Sequence, residues 1–428
     1  MAGLASQRHQ TLAHRIAYGA RTLSIAIPRS RLAGVVSPRP VRELRDPGAA
    51  IRKALERPHQ SLPLADMLRG RKSALILTVD HTRPGPRRLL VPVLNLCRRA
   101  GAAPTIMIAL GRHRKMTDAE LRRHLGADIC RRVRILQHDP FDDGAMVRRG
   151  TTGRGTPILV NRAVFEHDLV IGTGIIEPSY LAGFSGGRKL LMPGVAHHTA
   201  IDNNHYYLTD PGARIGRLDG NPVSEDAAEF AGSLPLHFIL YSVVGPDDET
   251  VEVVAGHPIH AHRKGCDLSR GIYEVERREA DIVISSAGGA PYDCDLVQGK
   301  KAVVPAAEMV KPNGVIILAA ACPDGLGAEA TFVRWLKTKT PRQVARDVLD
   351  RSRFSLGAHG ANILARPIVQ RNATVILVTC PAVAKALKGT YLTVTTDMRE
   401  AWSAANRIAG PASSVLLIEK ARRLIVRE

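Results

Sequence analysis

Short runs of apolar residues alternate with stretches of helical spacing along most of the chain. The runs at 72–79, 104–110 and 168–174 are nearly continuous in apolar residues, as is typical of strands buried on both faces. Between the first two, the apolar positions of Leu89 to Ala100 have helical spacing, and Gly101 follows as a helix-ending residue. Strands that alternate with helices predict mostly parallel sheets, with functional groups at the carboxyl ends of the strands.

The rest of the chain repeats this alternation. Further strands are predicted at 22–28, 132–137, 238–244, 250–254, 281–286, 315–319, 373–378 and 415–418, and a hairpin or turn at 151–161. Helices are predicted at 46–55, after a capping box formed by Thr117 and Glu120, and at 262–280. The last of these helices marks a change of domain.

The predicted fold class is α/β: two domains with mostly parallel sheets and the active site in the cleft between them. We predict a basic N-terminal extension at 1–20, an N-terminal α/β domain at 21–270 and a C-terminal α/β domain at 271–428. The 428 residues are enough for this organisation, and 45% of them are hydrophobic.

Charge and cysteine usage narrow the possible partners and the compartment. The net charge of +20 would suit nucleic acid or an anionic surface, but aromatic residues are only 4% of the chain and no nucleic-acid motif is present. We therefore interpret the arginines as a solvated surface. No apolar run is long enough to cross a membrane. The six cysteines form no C-x-x-C pair, which favours a reducing compartment, so a cytoplasmic location is expected.

The stretch from Glu177 to His205 concentrates the residues that could carry chemistry. It contains a glycine-rich turn, GFSGGRK at 183–189, in which Gly186 and Gly187 allow the backbone to approach another group closely. The turn is neither a phosphate P-loop nor a dinucleotide-binding fingerprint. The chemistry is therefore assigned to Lys189 and to the histidines that follow it, which are His197, His198 and His205.

Polar side chains follow two earlier strands and one later strand. Asp80 and Arg83 come after the strand at 72–79, and His113 comes after the strand at 104–110. Because the carboxyl ends of parallel strands meet at one edge of a sheet, these groups are expected to converge with the central stretch. A further motif at 291–301 opens the second domain. Each group could instead have only a structural role. Asp80 and Arg83 could form an ion pair, His113 could be a surface histidine in a loop, and Lys189 could be an ordinary solvated lysine.

Taken together, the motifs resemble the nickel-pincer lactate racemases and their 2-hydroxy-acid racemase and epimerase relatives. The resemblance extends from about Gly19 to the C-terminal part. The matching sequences are DHTRP at 80–84, GRHRKMT at 111–117, AGFSGGRK at 182–189, NH at 204–205 and P-x-D-x-x-x-x-Q-x-x-K at 291–301, with weaker matches in HD at 138–139 and G-x-T-x-x-G-T-P at 150–157.

The resemblance implies a nickel-pincer nucleotide, nickel pyridinium-3,5-bisthiocarboxylic acid mononucleotide, in the domain at 21–270. Lys189 would carry it through a thioamide bond and His205 would complete the nickel coordination, which accords with the preference of nickel for imidazole and sulfur. The remaining roles implied are cofactor binding by Asp80, Arg83, Gly186, Gly187 and Gln298, and substrate binding or catalysis by Arg83 and Lys301.

The same resemblance implies an isomerase that acts on a 2-hydroxy acid by proton-coupled hydride transfer. His113 matches one of the two acid–base histidines of the family. Ser179 occupies the second position, with Tyr180 beside it as a possible proton donor. A larger hydroxy acid or a sugar acid is therefore a more natural substrate than lactate.

The expected partners are a small 2-hydroxy acid as the substrate and the enzymes that synthesise the cofactor. No association with a membrane is expected. The alternatives are a cofactor-free paralogue, a dehydrogenase or dehydratase of polar hydroxy acids, and an anion- or nucleic-acid-binding protein.

Overall fold

The computed structural model describes residues 11–427, which divide into two compact units. One unit is the continuous segment 40–272, and the other combines the two ends of the chain, up to Arg39 and from Tyr273 onward. Residues 1–10, half of the predicted extension, lie outside the described residues. Both units contain a sheet that is wholly or mostly parallel, so the predicted α/β class is confirmed.

The unit at 40–272, called the central unit below, is built on a six-stranded sheet. Its strand order is Thr250–Gly256, Phe238–Val244, Leu169–Ile176, Ser73–Thr78, Ala103–Ile108 and Arg134–Gln137. The first pair runs antiparallel and the other neighbours run parallel. Every residue of Leu169–Ile176 is buried, as expected for the middle of a parallel sheet that helices cover.

The helices between Pro47 and Arg132 pack their apolar faces on this sheet. The helices of the central unit are Pro47–Glu56, Leu64–Met67, Arg87–Ala100, Asp118–Leu125, Ala127–Arg132, His198–Tyr206, Pro222–Gly232 and His260–Tyr273. Leu90 and Val93 of one helix share a core cluster with Ile76 and Ile106 of the strands. The predicted capping box of Thr117 and Glu120 is present and starts the helix at Asp118.

The unit formed by the chain ends, called the terminal unit below, has a six-stranded sheet in which all neighbours run parallel. Its order is Thr393–Thr395, Thr374–Val378, Val310–Ala319, Ala280–Ser286, Val415–Ile418 and Leu32–Val36. Its helices are Leu296–Gly299, Val303–Met309, Ala330–Thr338, Pro341–Asp347, Ala358–Arg371, Pro381–Ala386 and Met398–Ala409. Ile282 and Ile284 belong to one core cluster and Val283 to another, since side chains alternate between the faces of a strand.

Four short sheets complete the fold. Three are antiparallel pairs, Thr11–Tyr18 with Arg21–Pro28, Met146–Thr151 with Pro157–Asn161, and Pro178–Ser179 with Gly183–Phe184, and the fourth is the parallel pair Glu274–Val275 with Ile425–Val426. The predicted turn at 151–161 is therefore part of a hairpin. Within residues 11–427, no helix has the combination of length and apolar character that a bilayer crossing requires.

The structure differs from the predicted boundaries at the start of the chain. Residues up to Arg39 group with the terminal unit, because Leu32–Val36 forms a parallel ladder with Val415–Ile418. Residues 11–18, predicted as part of an extension, form a strand in which Ile16 and Tyr18 are buried. The basic composition of this segment concealed its alternation of exposed and buried side chains. The helix predicted at 262–280 ends at Tyr273, where the short strand Glu274–Val275 begins.

Candidate functional site

Asp80 lies just beyond the strand Ser73–Thr78 and organises the turn that follows. Its Oδ1 accepts hydrogen bonds from the backbone N–H and the hydroxyl of Thr82, at 2.9 and 2.5 Å. Its Oδ2 lies 2.5 Å from Nδ1 of His113. Burial raises the pKa of Asp80, but the hydrogen bonds from His113 and Thr82 and the charge of His113 outweigh burial and hold the pKa well below its usual range. Asp80 is therefore an ionised acceptor at neutral pH.

His113 follows the strand Ala103–Ile108 and meets Asp80 at the same edge of the sheet, as the two strand ends predicted. Because Asp80 is ionised and can only accept, Nδ1 of His113 carries the hydrogen and donates a hydrogen bond to Oδ2 of Asp80. Nε2 is then the ring nitrogen that can accept a proton. The side chain is 54% exposed, so a small molecule can reach it.

Arg83 connects the first strand end to the central stretch. Its Nε lies 3.0 Å from Oε1 of Glu177, whose side chain is 5% exposed. Glu177 directly follows the buried strand Leu169–Ile176. The structural alternative of an Asp80–Arg83 ion pair is thus replaced by two separate contacts, Asp80 with His113 and Arg83 with Glu177. Sequence reasoning missed Glu177 as a partner, although a carboxylate directly after a buried strand was a usable signal.

The glycine-rich turn Gly183–Lys189 requires its glycines for steric reasons. Gly183 has φ +75°, and a Cβ there would overlap the carbonyl oxygen of Arg217. Gly187 has φ +55°, and a Cβ there would lie 2.8 Å from the ring of His262. Gly186 also has positive φ, +83°. These positions allow the chain to reverse within a few residues and bring Lys189 back toward the strand end.

Lys189 is partly buried in this turn. Its Nζ donates to the hydroxyl of Ser179 at 3.4 Å. Burial, together with the charges of Arg83 and Arg188, lowers the pKa of Lys189 to about 7, against a smaller opposing effect of Glu177. At neutral pH a large share of these amines is uncharged, which is the form that can act as a nucleophile.

Hydrogen bonds of Arg188 and His262 stabilise the glycine-rich turn Gly183–Lys189. Arg188 donates from Nε to the carbonyl oxygen of Ser224 at 3.1 Å and from Nη2 to the hydroxyl of the same residue at 2.6 Å. His262 lies on the helix His260–Tyr273, and its Nε2 donates to the carbonyl oxygen of Ser185 at 2.8 Å. Burial lowers the pKa of His262 to about 3, so this histidine is a neutral support. Nothing in the sequence near His262 signalled this role.

The three histidines that follow the turn have different surroundings. His197 caps the helix His198–Tyr206: its Nδ1 accepts from the N–H of Thr199 at 3.3 Å and its Nε2 lies 2.8 Å from Oδ1 of Asp143. His198 stacks on Phe141 with ring centroids 4.9 Å apart. His205, near the end of the helix, is only 8% exposed. His197 is buried as well, at 6% exposure, but both of its ring nitrogens are used by Thr199 and Asp143, so His197 and His198 have structural contacts.

The remaining predicted site residues belong to the terminal unit. Nζ of Lys301 donates to Oε1 of Gln298 at 2.5 Å, so the structure brings these two together. The structural alternative of a solvated lysine does not apply to Lys300, which is completely buried and donates from Nζ to the carbonyl oxygen of Val297 at 2.9 Å. Among residues 11–427, no group of three or more His, Cys, Asp or Glu side chains is arranged to hold a metal ion.

Comparison with known proteins identifies relatives along almost the whole chain. The family model for the lactate racemase N-terminal domain matches residues 18–216, and the model for the lactate racemase C-terminal domain matches residues 275–426. The lactate racemase of Thermoanaerobacterium thermosaccharolyticum is 35% identical over 423 residues, covering 96% of this chain and 99% of the relative. That of Lactiplantibacillus plantarum is 31% identical over 385 residues, covering 88% and 90%.

Solved structures agree with these matches. The lactate racemase apoprotein from T. thermosaccharolyticum has a TM-score of 0.91 and 34% identity, covering 97% of this chain and 100% of that one. A protein from Thermotoga maritima has a TM-score of 0.69 at 19% identity, covering 89% and 98%, and shares the fold.

The matches place the chain in a class of isomerases that act on hydroxy acids. The chain belongs to the lactate racemase family. The resemblance predicted from the motifs is therefore confirmed, and with it the implication of a nickel-dependent cofactor.

Proposed function

We propose that the protein is a racemase or epimerase of a 2-hydroxy acid that depends on a nickel-pincer nucleotide attached to Lys189. The observation that carries the proposal is the partly buried Lys189 amine, whose pKa burial and nearby arginines lower to about 7. A lysine with an ordinary pKa is almost wholly protonated at neutral pH and cannot attack a carbon atom. With a pKa of about 7, about half of the Lys189 amines are uncharged at neutral pH and can act as the nucleophile that a thioamide bond requires.

The residues of the central unit fit the implied group. The Lys189 amine would anchor the organic part, and the buried imidazole of His205 would be the protein ligand for nickel. The ring nitrogens of His197 are already used by Thr199 and Asp143, which supports His205 over its neighbours in the same segment. The glycine-rich turn packs closely on Arg217, Ile175 and His262, and this packing holds Lys189 at the end of the strand Leu169–Ile176.

The bound cofactor would supply an acceptor for the α-hydrogen of the substrate as hydride. The chain itself would handle the proton: Nε2 of His113 takes the proton of the substrate hydroxyl, while Asp80 holds Nδ1–H and stabilises the positive charge that forms on the ring. Arg83 and Lys301 would bind the substrate carboxylate, and Gln298 would orient Lys301. The other residues that would contact the cofactor are Asp80, Arg83, Gly186, Gly187 and Gln298.

Ser179 bears on the substrate of this proposed reaction. It stands where the second acid–base histidine of the family is expected, and its hydroxyl accepts from Lys189. A serine is smaller than a histidine and is a poor base near neutral pH. We therefore propose a substrate with a larger or more polar substituent than the methyl group of lactate.

One experiment tests the class of activity. The protein would be produced together with the enzymes of pincer-nucleotide synthesis, and its intact mass and nickel content would be measured. The expected result is one adduct on Lys189 with nickel in matching amount, and inversion at the hydroxyl carbon in a panel of 2-hydroxy acids analysed by chiral chromatography. Protein that carries neither adduct nor nickel would favour the cofactor-free paralogue. The six free cysteines support a reducing, cytoplasmic setting for this synthesis.

A further inference from the structure

A buried carboxylate that forms no ion pair with any residue of 11–427 lies against the helix that carries His205. Asp226, on the helix Pro222–Gly232, is 0% exposed. Its Oδ1 accepts from the hydroxyl of Thr152 at 2.6 Å. Its Oδ2 accepts from the hydroxyl of Thr156 at 2.8 Å and from Nδ2 of Asn204 at 2.7 Å. Burying a carboxylate is costly unless hydrogen bonds replace its hydration, and here three neutral donors do so.

This arrangement accounts for the weak motif G-x-T-x-x-G-T-P at 150–157, which the proposed reaction leaves unused. Its two threonines are the residues that donate to Asp226. The motif is a closed turn, in which the N–H of Thr152 donates to the carbonyl oxygen of Thr156 at 2.9 Å. The hydroxyl of Thr156 also accepts from Nδ2 of Asn203 at 2.5 Å, so its own proton is directed at Asp226. The donors and acceptors of the network are therefore all specified.

Asn204 connects the network to the proposed metal ligand. It directly precedes His205 in the helix His198–Tyr206, and its Nδ2 donates both to Asp226 and, at 3.1 Å, to the carbonyl oxygen of Val223. Successive residues of an α-helix point about 100° apart around the axis, because there are 3.6 residues per turn. Fixing the direction of Asn204 therefore fixes the direction of the Cα–Cβ bond of His205, and with it the side of the helix from which the imidazole projects.

We propose that Asp226 is a positioning residue for His205: through Asn204 and the Thr152–Thr156 turn, it sets the rotation of the His205 helix and so the direction of the imidazole. The proposal rests on the proposed function in assigning nickel to His205. In the protein without cofactor, Asp226 keeps His205 in its buried orientation, and this can be tested whether or not nickel binds.

Asp226→Asn is the informative substitution because it preserves shape and reverses hydrogen-bond chemistry. An amide offers one acceptor oxygen, and its NH2 group would face a donor that already points at this site. Thr156→Val removes one donor with little change in volume, and Thr156→Ser restores the hydroxyl. Glu229→Gln is the matched control: Glu229 lies on the same helix and accepts from Gly153 of the same turn at 2.8 Å, but it is exposed.

The first measurement uses the full chain without cofactor. The rate of carbethoxylation of His205 by diethyl pyrocarbonate would be followed by peptide mass spectrometry, with buried His138 as an internal reference for global unfolding. We expect slow modification of His205 in the wild type, Glu229→Gln and Thr156→Ser, and modification about tenfold faster in Asp226→Asn and Thr156→Val, since local opening sets access to buried groups. An unchanged His205 rate in both of the latter variants overturns the proposal. If Asp226→Asn does not fold, the comparison of the His205 modification rates in Thr156→Val and Thr156→Ser decides whether the proposal holds.

The second measurement uses protein loaded with cofactor and separates nickel from the organic adduct. In Asp226→Asn and Thr156→Val we expect the Lys189 adduct mass to remain and the affinity for nickel to fall about tenfold, the lower end of the usual cost of losing an orienting partner. Rescue by Thr156→Ser distinguishes positioning from general destabilisation. Faster modification of His205 with unchanged nickel affinity would refute the link to the metal. If the wild type holds no nickel, the proposed function fails, whereas the diethyl pyrocarbonate result still decides the orientation of His205.

Discussion

The Nδ1 nitrogen of His113 lies 2.5 Å from Oδ2 of Asp80, so the side chain presents Nε2 for proton transfer. The contact joins the ends of two neighbouring parallel strands, Ser73–Thr78 and Ala103–Ile108. Asp80 is held ionised by its hydrogen bonds despite its burial. The pair therefore defines both the tautomer of the histidine and the side from which a substrate hydroxyl would be deprotonated.

We expect His113→Ala to lower turnover on the natural hydroxy acid by about two to four powers of ten, the usual contribution of a general base. Asp80→Asn should lower it as well, because the charge that stabilises the protonated ring is removed. Turnover number and kcat/KM would be measured in cofactor-loaded protein with a confirmed Lys189 adduct. His81→Ala, at an exposed histidine next to Asp80, is the control. Equal turnover in His113→Ala and the control would remove His113 from the reaction.

The amine of Lys189 should react at lower pH than ordinary lysines. Labelling of the cofactor-free protein with a trace of acetic anhydride, read out by peptide mass spectrometry, should give a rate midpoint at pH about 7 for Lys189. Surface Lys388 serves as a reference within the same sample. Arg83→Gln should move the Lys189 midpoint upward, since it removes a positive charge and leaves Glu177 without that partner. A Lys189 midpoint near 10 in the wild type would contradict the lowered pKa.

The same lowered pKa has a consequence for stability. The folded protein binds the Lys189 proton less tightly than the unfolded chain does, where the lysine has its ordinary pKa of 10.5. Between pH about 7 and that value the unfolded chain carries more protons, so the contribution of Lys189 to the free energy of unfolding rises with pH. The free energy of unfolding of the wild type relative to Lys189→Met should therefore increase between pH 7 and pH 10, measured by urea denaturation. A flat difference would contradict the assigned shift.

Substitutions at Lys189 and at His205 should have different effects on the organic adduct and on the nickel content. Lys189→Ala should abolish retention of the cofactor without unfolding the protein, whereas His205→Ala should lose nickel and keep the organic adduct, because the two groups have different functions. Intact mass and metal analysis would be compared with circular dichroism for each variant. His198→Ala is the control for His205, since its ring stacks on Phe141 at the surface. Full nickel content in His205→Ala would require another ligand.

Ser179→His is the test of substrate choice. It restores the family residue ten positions before Lys189, where the hydroxyl now accepts from Nζ. We expect racemisation of lactate to appear or to rise, with a loss of activity on larger hydroxy acids as the space fills. Chiral analysis of lactate in both directions would measure it, with Ser179→Ala as the control for loss of the hydroxyl alone. If no hydroxy acid responds to either substitution, Ser179 has no part in specificity.

Local patterns predicted much of the fold and part of the site. The runs at 72–79 and 104–110 were recognisable because a buried strand is continuous in apolar residues, and the parallel-sheet rule then brought Asp80 to His113. The position of Glu177 directly after a buried strand made it a candidate partner of Arg83, but Asp80 follows a strand of the same edge as well, and only three-dimensional geometry decides between the two carboxylates. Asp226 lies in a helix that also carries exposed Glu225 and Glu229, and periodicity cannot tell a buried acid from its solvated neighbours.

Family resemblance supplied what the pattern could not. No rule of spacing would select Lys189 for a covalent bond or His205 over His197. Two structural observations support these proposed roles: the pKa of Lys189 is lowered, and both ring nitrogens of His197 are already used by Thr199 and Asp143.

The pairing of Leu32–Val36 with Val415–Ile418 has a consequence for the order in which the protein forms during translation. Residues 40–272 are contiguous and can acquire their core while the ribosome is still adding the rest. The strand Leu32–Val36 must wait for Val415–Ile418, which is synthesised after the whole of the central unit, and pairing across so long a separation is slow because the loop must close first. A fragment that begins at Tyr273 would lack this strand and expose Val415–Ile418 as an open edge, which invites aggregation. Joining residues 11–39 to 273–428 through a short linker would restore the missing neighbour.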